Sequence, residues 1–336
     1  MVDLEIKPLV SIIITSFNRE KFIEMAIQSA LNQDYPNLEI IISDNNSTDN
    51  SDTIIKKYMH DKRIKYFVND VNIGMTPNFK LATEQRAKGE YITYVSSDDY
   101  LLSDKFISNA VNLISKYPNI VLVIAKNSTQ HRDNEQPIEN DSNYMFHHEF
   151  MYGKEVFKLF PKWFSPGWGG ALINRDKLIK TNVFESKAQS FDYEANLKMM
   201  LQGNLAFIKE PSYVIRNHYA QASGFMTYET HVNNFDFIER TYYFAKKINI
   251  DIELESWRKK VYIIYLSRVA RQFINREDEF KKLLVYIKKE KKIQLNIFKN
   301  PKRFMIFTSY KNYKKISFLV KIIYPKMYRS IEEEIN

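Results

Sequence analysis

Two adjacent carboxylates, Asp98 and Asp99, follow the apolar run Tyr91-Ile92-Thr93-Tyr94-Val95, and Asp44 follows another, Leu38-Glu39-Ile40-Ile41-Ile42-Ser43. A carboxylate where a buried strand opens into a polar loop sits at the edge of an α/β sheet where ligands gather, because loops and helix N-termini converge there with unpaired N–H groups. Carboxylates facing one crevice suit Mg²⁺ or Mn²⁺, which prefer oxygen ligands and take one or two carboxylates together with substrate phosphates. The same residue types also make solvated turns and helix caps, and spacing alone leaves both uses open. Three of the eight glycines fall within Gly167-Trp168-Gly169-Gly170. Glycines this dense mark a tight turn or the close approach of a ligand. His218, in Arg216-Asn217-His218, is either a structural hydrogen-bonding residue or a ligand.

The elements that must position these groups alternate. Residues 9–15 form a near-continuous apolar run ending in Ser16-Phe17-Asn18-Arg19, the pattern of a buried parallel strand. Phe22, Ile23, Ala26, Ile27, Ala30 and Leu31 then recur at helical spacing until Tyr35-Pro36-Asn37. With the strand at 38–43 they complete a βαβ unit. The pattern continues with a strand at 63–68, a helix near 77–86, a strand at 91–95, a helix at 105–116 and a strand at 120–125. Residues 126–151 read as a surface loop, 171–173 as a strand and 192–202 as a helix. Short strands are expected at 206–208 and 213–215, on either side of Pro211. This predicts a Rossmann-like α/β domain with a mostly parallel sheet flanked by helices.

The 336-residue chain is 44% hydrophobic and 14% aromatic, enough for a packed core, so disordered and collagen-like classes are excluded. It has no cysteine, which removes disulfides, Cys-ligated zinc, iron–sulfur clusters and thiol nucleophiles. The net charge of +9 is uneven: from Trp257 onward 21 Lys and Arg face 7 Asp and Glu. The body is therefore mildly acidic and the tail strongly basic. No basic and apolar leader opens the chain and no apolar run is long enough to span a bilayer, so a cytoplasmic protein is expected, free or peripheral on the membrane's cytoplasmic face. After residue 224 the pattern is helical, with stripes at Phe235, Ile238, Tyr242 and Ala245 and at Val261, Tyr265, Val269 and Phe273. The tail's lysines and aromatics are either the solvated face and core of a packed helical extension or a dock for an anionic membrane. No nucleic-acid-reading motif accompanies the charge.

Taken in order, the motifs resemble those of family 2 glycosyltransferases of the GT-A fold. Val10-Ser11-Ile12-Ile13-Ile14-Thr15-Ser16-Phe17-Asn18-Arg19 resembles the first strand and nucleotide loop. The stretch from Ser29 to Asp49, ending Ser43-Asp44-Asn45-Asn46-Ser47-Thr48-Asp49, resembles the second block. Asn72-Ile73-Gly74 with Asn78 resembles the third, and Val95-Ser96-Ser97-Asp98-Asp99 the metal loop. The resemblance implies a GT-A domain over residues 1–224, with a nucleotide-sugar half to about 125 and an acceptor half beyond it, followed by a basic helical region at 225–336. It implies that Thr15, Phe17, Asn18, Arg19, Asp44, Asn72, Gly74, Asn78, Ser96, Ser97 and Asp98 surround a nucleotide diphosphate sugar, with Asp44 at the base. Asp98 would hold Mn²⁺ or Mg²⁺ on the diphosphate. Trp168, Gly169, Gly170 and Glu194 would lie near the sugars. Arg216 and His218, in a late block with Ser223, would meet the diphosphate, His218 also meeting the metal. Phe191-Asp192-Tyr193-Glu194 resembles the helix start that carries the family's base, which makes Asp192 either that base or a helix N-cap.

Two departures stand out. The family's metal loop usually begins with Asp where Ser96 stands, and a Glu usually precedes the base where Phe191 stands, so Asp99 is a candidate compensating carboxylate. The implied activity is inverting, metal-dependent transfer to a glycan or lipid-linked acceptor of a bacterial surface polysaccharide. A sugar nucleotidyltransferase is disfavoured because no Gly-rich triphosphate loop follows the first strand. A non-catalytic nucleotide-sugar or membrane-binding protein on the same fold is the other alternative.

Overall fold

The computed structural model describes residues 7–131, 135–140, 144–160, 167–218 and 227–293. Two compact units divide the chain, Met1–Ser186 with Ser190–Gly224, and Lys187–Gln189 with Phe225–Asn336.

In the first unit, β1 (Val10–Ser16), β2 (Leu38–Asp44), β3 (Ile64–Val68) and β4 (Tyr91–Ser96) pair in parallel in the order β3-β2-β1-β4. β1 and β2 are buried almost throughout because both faces are covered, and Ile12, Ile14, Ile40 and Ile42 lie in the core. The connections are helical, through α1 (Ile23–Leu31), α2 (Ser51–Lys56) and α3 (Met75–Leu81), the last running into a wider turn at Ala82–Arg86. α1 buries Ile23, Ala26, Ile27 and Ala30, the face set by its three- and four-residue spacing. Ile23 and Ile27 alone are worth about 2 kcal/mol each against exposure.

Beyond β4 the sheet changes character. Its strands are β5 (Tyr100–Leu101), β6 (Ile120–Gln130), β7 (Ile138–Glu139), β8 (Phe150–Met151), β9 (Ala171–Asn174) and β10 (Asn204–Arg216). Here α4 (Phe106–Lys116), α5 (Gly153–Leu159), α6 (Arg175–Lys180) and α7 (Phe191–Met200) flank the sheet. β9 lies antiparallel between β4 and β6, while β6 and β10 pair in parallel and β5 closes antiparallel on β10. The sheet is thus parallel in its first half and mixed in its second, and its long pairings, β1 with β2 and β4, β2 with β3 and β6 with β10, are all parallel, as expected. β6 also extends into the polar stretch read as a loop, because Lys126–Gln130 finds a partner in the end of β10. β10 is one strand where two were expected, since Pro211 is accommodated by register shifts on either side of it.

The second unit is helical over its described residues: α8 (Tyr228–Asn234), α9 (Asp236–Lys247), α10 (Leu254–Val269) and α11 (Glu277–Lys289). Both expected apolar stripes are buried, as are Trp257, Phe280, Leu283 and Ile287. Glu239 accepts both Arg258 Nε and a terminal guanidinium nitrogen at 2.8 Å, together with the Tyr262 hydroxyl at 2.7 Å, tying α9 to α10. These aromatics are core, so they cannot also be the membrane-facing residues of the tail. Residues 294–336, Ser223 and Gly224 lie outside the described residues.

Candidate functional site

Strand register builds the site. Ser16 pairs with Asp44, and Thr15 with Ser96, so the exits of β1, β2 and β4 lie level at one edge of the sheet. Between them opens a cleft of about 390 Å³, walled by Thr15, Phe17 and Arg19 from the first exit, by Ser96, Ser97 and Asp98 from the fourth strand's, and by Asn72 and Gly74 from the far side.

Asn45 fixes that far side. Its amide donates to Asn72 Oδ1 at 2.7 Å and to the Gly74 carbonyl at 3.2 Å, while its Oδ1 accepts the Ile73 N–H at 3.0 Å. Gly74 has φ +89°, a conformation that costs a side chain dearly. Asn78 reaches the cleft wall but is nearly buried, bonded to the Ser43 hydroxyl at 2.6 Å and the Ser43 carbonyl at 2.9 Å. The near side is knitted through Ser47, whose hydroxyl accepts the Asn18 N–H at 2.9 Å. Asn18 in turn accepts the Thr48 N–H at 2.8 Å, with its own φ at 51°.

Asp44, expected at the base, is only 1% exposed and turns into this knot, where its carboxylate accepts the Ser47 N–H at 3.0 Å and the Ser47 hydroxyl. Burial raises its pKa, against the opposing effect of the Ser47 donors. It shapes the cleft from beneath, and Asn45 is the residue that lines it.

At the fourth strand's exit, Asp98 Oδ2 lies 3.0 Å from His218 Nε2 and 3.4 Å from Arg19 Nε. His218 is held by its ring against Phe22, centroids 4.7 Å apart. Asp98 and His218 touch directly through one carboxylate oxygen and one imidazole nitrogen, an O/N donor pair that suits Mn²⁺ or Mg²⁺ if their contact opens and a diphosphate and water complete the shell. Among the described residues no group of three His, Cys, Asp or Glu side chains gathers to hold a metal without such help.

Arg216 and Asp99 take roles other than those expected. Arg216 is 4% exposed and faces the loop's back: its Nε donates to the Asp98 carbonyl at 2.6 Å, a terminal nitrogen to the Phe22 carbonyl at 3.1 Å, and its guanidinium lies 4.9 Å over the Phe22 ring. So placed, it braces the loop from behind and does not line the cleft. Asp99 is buried too, accepting the Arg216 N–H and the Tyr213 hydroxyl, both at 2.9 Å. Burial, then the charge of Asp98, pushes its carboxyl up to about 7.

Trp168 is stacked on Tyr94 with centroids 4.5 Å apart, and Phe79, Phe184 and Phe191 pack edge-on around it. Phe191 therefore belongs to an aromatic cluster whose member Phe79 reaches the cleft wall. Asp192 follows it in the first turn of α7. The helix N-cap is Ser190, so Asp192 is inside the helix and is not its cap. It accepts the Tyr193 N–H at 3.0 Å, and desolvation pushes its carboxyl up to about 7. Glu194 points the other way. It is fully buried and paired with Lys198 at 2.5 Å, whose ammonium also donates to the Thr181 carbonyl, so it has no surface with which to meet a sugar.

Sequence reasoning passed over Ser16, Asn45, Phe79 and Tyr213. Ser16 and Asn45 lie inside the quoted motifs without a role assigned to them, and their place at strand exits was a usable signal. Phe79 and Tyr213 carried none, since an aromatic in a helix or strand reads as core. Ser16 Oγ is buried at the cleft without a partner among the described residues, the condition of a polar atom that a ligand or water satisfies.

A model of glycosyl transferase family 2 matches residues 11–181, half of the chain. The GalNAc(5)-diNAcBac-PP-undecaprenol beta-1,3-glucosyltransferase of Campylobacter jejuni is 43% identical over 98 residues, covering 29% of this chain and 31% of that protein. The UDP-Glc:alpha-D-GlcNAc-diphosphoundecaprenol beta-1,3-glucosyltransferase WfaP of Escherichia coli is 42% identical over 106 residues, 32% of this chain and 41% of that one. The chain thus aligns with less than half the length of either relative. Among solved structures, S. aureus TarS 1-349 in complex with UDP-GlcNAc superposes with a TM-score of 0.65 at 17% identity, over 97% of this chain and 91% of that one. At that identity the likeness bears on the fold, which is GT-A-like.

Proposed function

The chain belongs to glycosyl transferase family 2, and from that membership we propose that it moves a sugar from a UDP-sugar to a hydroxyl of a lipid-linked glycan, with inversion, in the building of a bacterial surface polysaccharide. The observation that carries the reading is the convergence of Asp98, His218 and Arg19 at one end of a cleft level with the exits of β1 and β4. The acceptor class follows the two undecaprenol-linked relatives. Inversion follows from their β products, since a UDP-sugar of the ordinary kind is α-linked.

In this reading Thr15, Phe17 and Arg19 bind the nucleotide on one wall, and Asn72 and Gly74, held by Asn45, close the other. Asp98 and His218 would hold Mn²⁺ or Mg²⁺, which when bound supplies neutralising charge to the departing diphosphate. Arg19, already beside Asp98, turns its guanidinium to the phosphates as they enter. Asp192 takes the proton from the acceptor hydroxyl as that oxygen attacks the anomeric carbon. A carboxylate whose pKa lies near 7 suits a base working at neutral pH. Trp168 and its ring neighbours give the sugar region a stiff apolar support.

The test is donor turnover. Purified protein is incubated with UDP-glucose, UDP-GlcNAc or UDP-GalNAc, with and without Mn²⁺, and UDP release is followed with and without a polyprenyl-diphosphate glycan. Asp98→Ala and Asp192→Ala are each expected to abolish metal-stimulated release. If the unaltered protein bound a UDP-sugar yet neither hydrolysed nor transferred it under all these conditions, it would be a non-catalytic member of the family.

A further inference from the structure

We infer that Tyr213, seated against the Gly169-Gly170 turn, is a positioning residue that holds Asp98 at the cleft, and that Asp99 is the hydrogen-bonding link through which it acts. The inference deepens the proposed function, since it rests on Asp98 being the cleft's working carboxylate.

The loop from Ser96 to Tyr100 is a tight turn, closed by the Asp99 N–H on the Ser96 carbonyl at 2.9 Å. A turn of this length has several side-chain orientations open to it, and something must select the one that sends Asp98 into the cleft and Asp99 away from it. The Tyr213 hydroxyl does so from β10. It accepts the Ser96 N–H at 3.2 Å and donates to Asp99 Oδ2 at 2.9 Å, so one oxygen grips both ends of the turn. The other Asp99 oxygen takes the Arg216 N–H at 2.9 Å, and the Arg216 side chain holds the Asp98 carbonyl. Asp98 is thus pinned by its neighbours and its own carbonyl, which leaves its carboxylate for the cleft.

The glycine turn belongs to the same device. A Cβ on Gly169 would stand 2.5 Å from the Tyr213 ring, and one on Gly170 2.7 Å from Asn127 Oδ1 and 3.1 Å from the Tyr213 Cβ. Gly170 also has φ +72°. Glycines at both positions leave the tyrosine ring the space it needs to reach Asp99. Asp99, meanwhile, has its two oxygens committed and is 9% exposed, so its part is that of an acceptor in the scaffold and it does not touch the donor.

Asparagine separates the two uses of position 99. In Asp99→Asn the amide oxygen still accepts from Arg216 and the amide nitrogen donates to the Tyr213 oxygen, so the scaffold survives while the charge is lost. Asp99→Ala and Tyr213→Phe break the link. Calorimetry with UDP, with and without Mn²⁺, and hydrogen exchange of the Ser96–Tyr100 amides in the free protein are the two readouts. Asp99→Ala and Tyr213→Phe are expected to weaken Mn²⁺-dependent UDP binding about 10- to 100-fold, the cost of losing a hydrogen bond to a charged group. UDP binding without metal should change by no more than about twofold, a split that general unfolding would not produce. Asp99→Asn should stay within about threefold of wild type, and loop exchange should accelerate about tenfold or more in the two broken variants only. An Asp99→Asn protein as impaired as Asp99→Ala would overturn the inference, as would a Tyr213→Phe protein with unchanged loop exchange. Absence of Mn²⁺-dependent UDP binding in the wild type would instead sink the proposed function, and the exchange data would still decide the role of Tyr213.

Discussion

As the proposed base, Asp192 ties activity and stability to the same proton. Burial moves its carboxyl from the ordinary 3.8 to about 7. Only the ionised form can accept a proton, so about a tenth of the enzyme is competent one pH unit below that value and about nine tenths one unit above it. The folded state favours the protonated acid, so between about pH 4 and 7 the native chain binds more protons than the unfolded one. The sign follows: this group's contribution to stability is fully present below about 4 and is lost as the pH rises through 7. At about 1.4 kcal/mol for each pH unit crossed, the loss is on the order of a few kcal/mol. Asp192→Asn removes the cost of the charge. It should lower kcat by about 10²- to 10⁴-fold and raise the melting temperature by a few degrees at about pH 8, with no gain at about pH 4. Initial rates across this range and thermal melts at both ends check it. A flat wild-type pH profile, or an asparagine variant no more stable than wild type in alkali, would refute the reasoning.

Other consequences are simpler. Glu194→Ala leaves the buried Lys198 ammonium without its carboxylate and should cost about 3–5 kcal/mol in urea unfolding. Arg258→Ala does the same to Glu239 in the helical unit, and a melt following its helical signal should show a comparable loss. Asn45→Ala frees the Asn72–Gly74 segment from the cleft wall, so UDP binding by calorimetry should weaken about tenfold with the fold retained.

Apolar strands ending in polar loops made the first half of the fold readable, because a strand buried on both faces is a near-continuous apolar run. The second half was harder. Lys126–Gln130 is polar and still a strand, since its partner β10 supplies the hydrogen bonds that local composition did not announce. Pro211 looked like a break, but a register shift carries β10 past it. The cleft residues at 15–19 and 96–98 were legible for the same reason as the strands, as they follow the exits directly. What the pattern could not reveal was direction. Asp44, Glu194 and Arg216 have the chemistry of site residues, yet each is turned into a partner inside the fold: Ser47, Lys198 and the carbonyls of Phe22 and Asp98. Tyr213 was invisible because its proposed role rests on one hydroxyl 117 positions from Ser96.

The two departures from the family pattern have different physical consequences. Ser96 stands where a carboxylate is usual, which leaves Asp98 as the one acidic ligand candidate among the described residues of the cleft and throws more of any cation's coordination onto His218, the diphosphate and water. Phe191 does not weaken its site in the same way. A Glu beside Asp192 would raise the base's pKa through like charge, whereas Phe191, packed at 5.1 Å from Trp168 and 5.6 Å from Phe79, anchors the helix start in an apolar cluster. Desolvation is the main cause of the shift found at Asp192. Replacing the carboxylate by an aromatic thus reaches the same end for the proposed base, a carboxyl that titrates near neutrality, by removing water instead of adding charge.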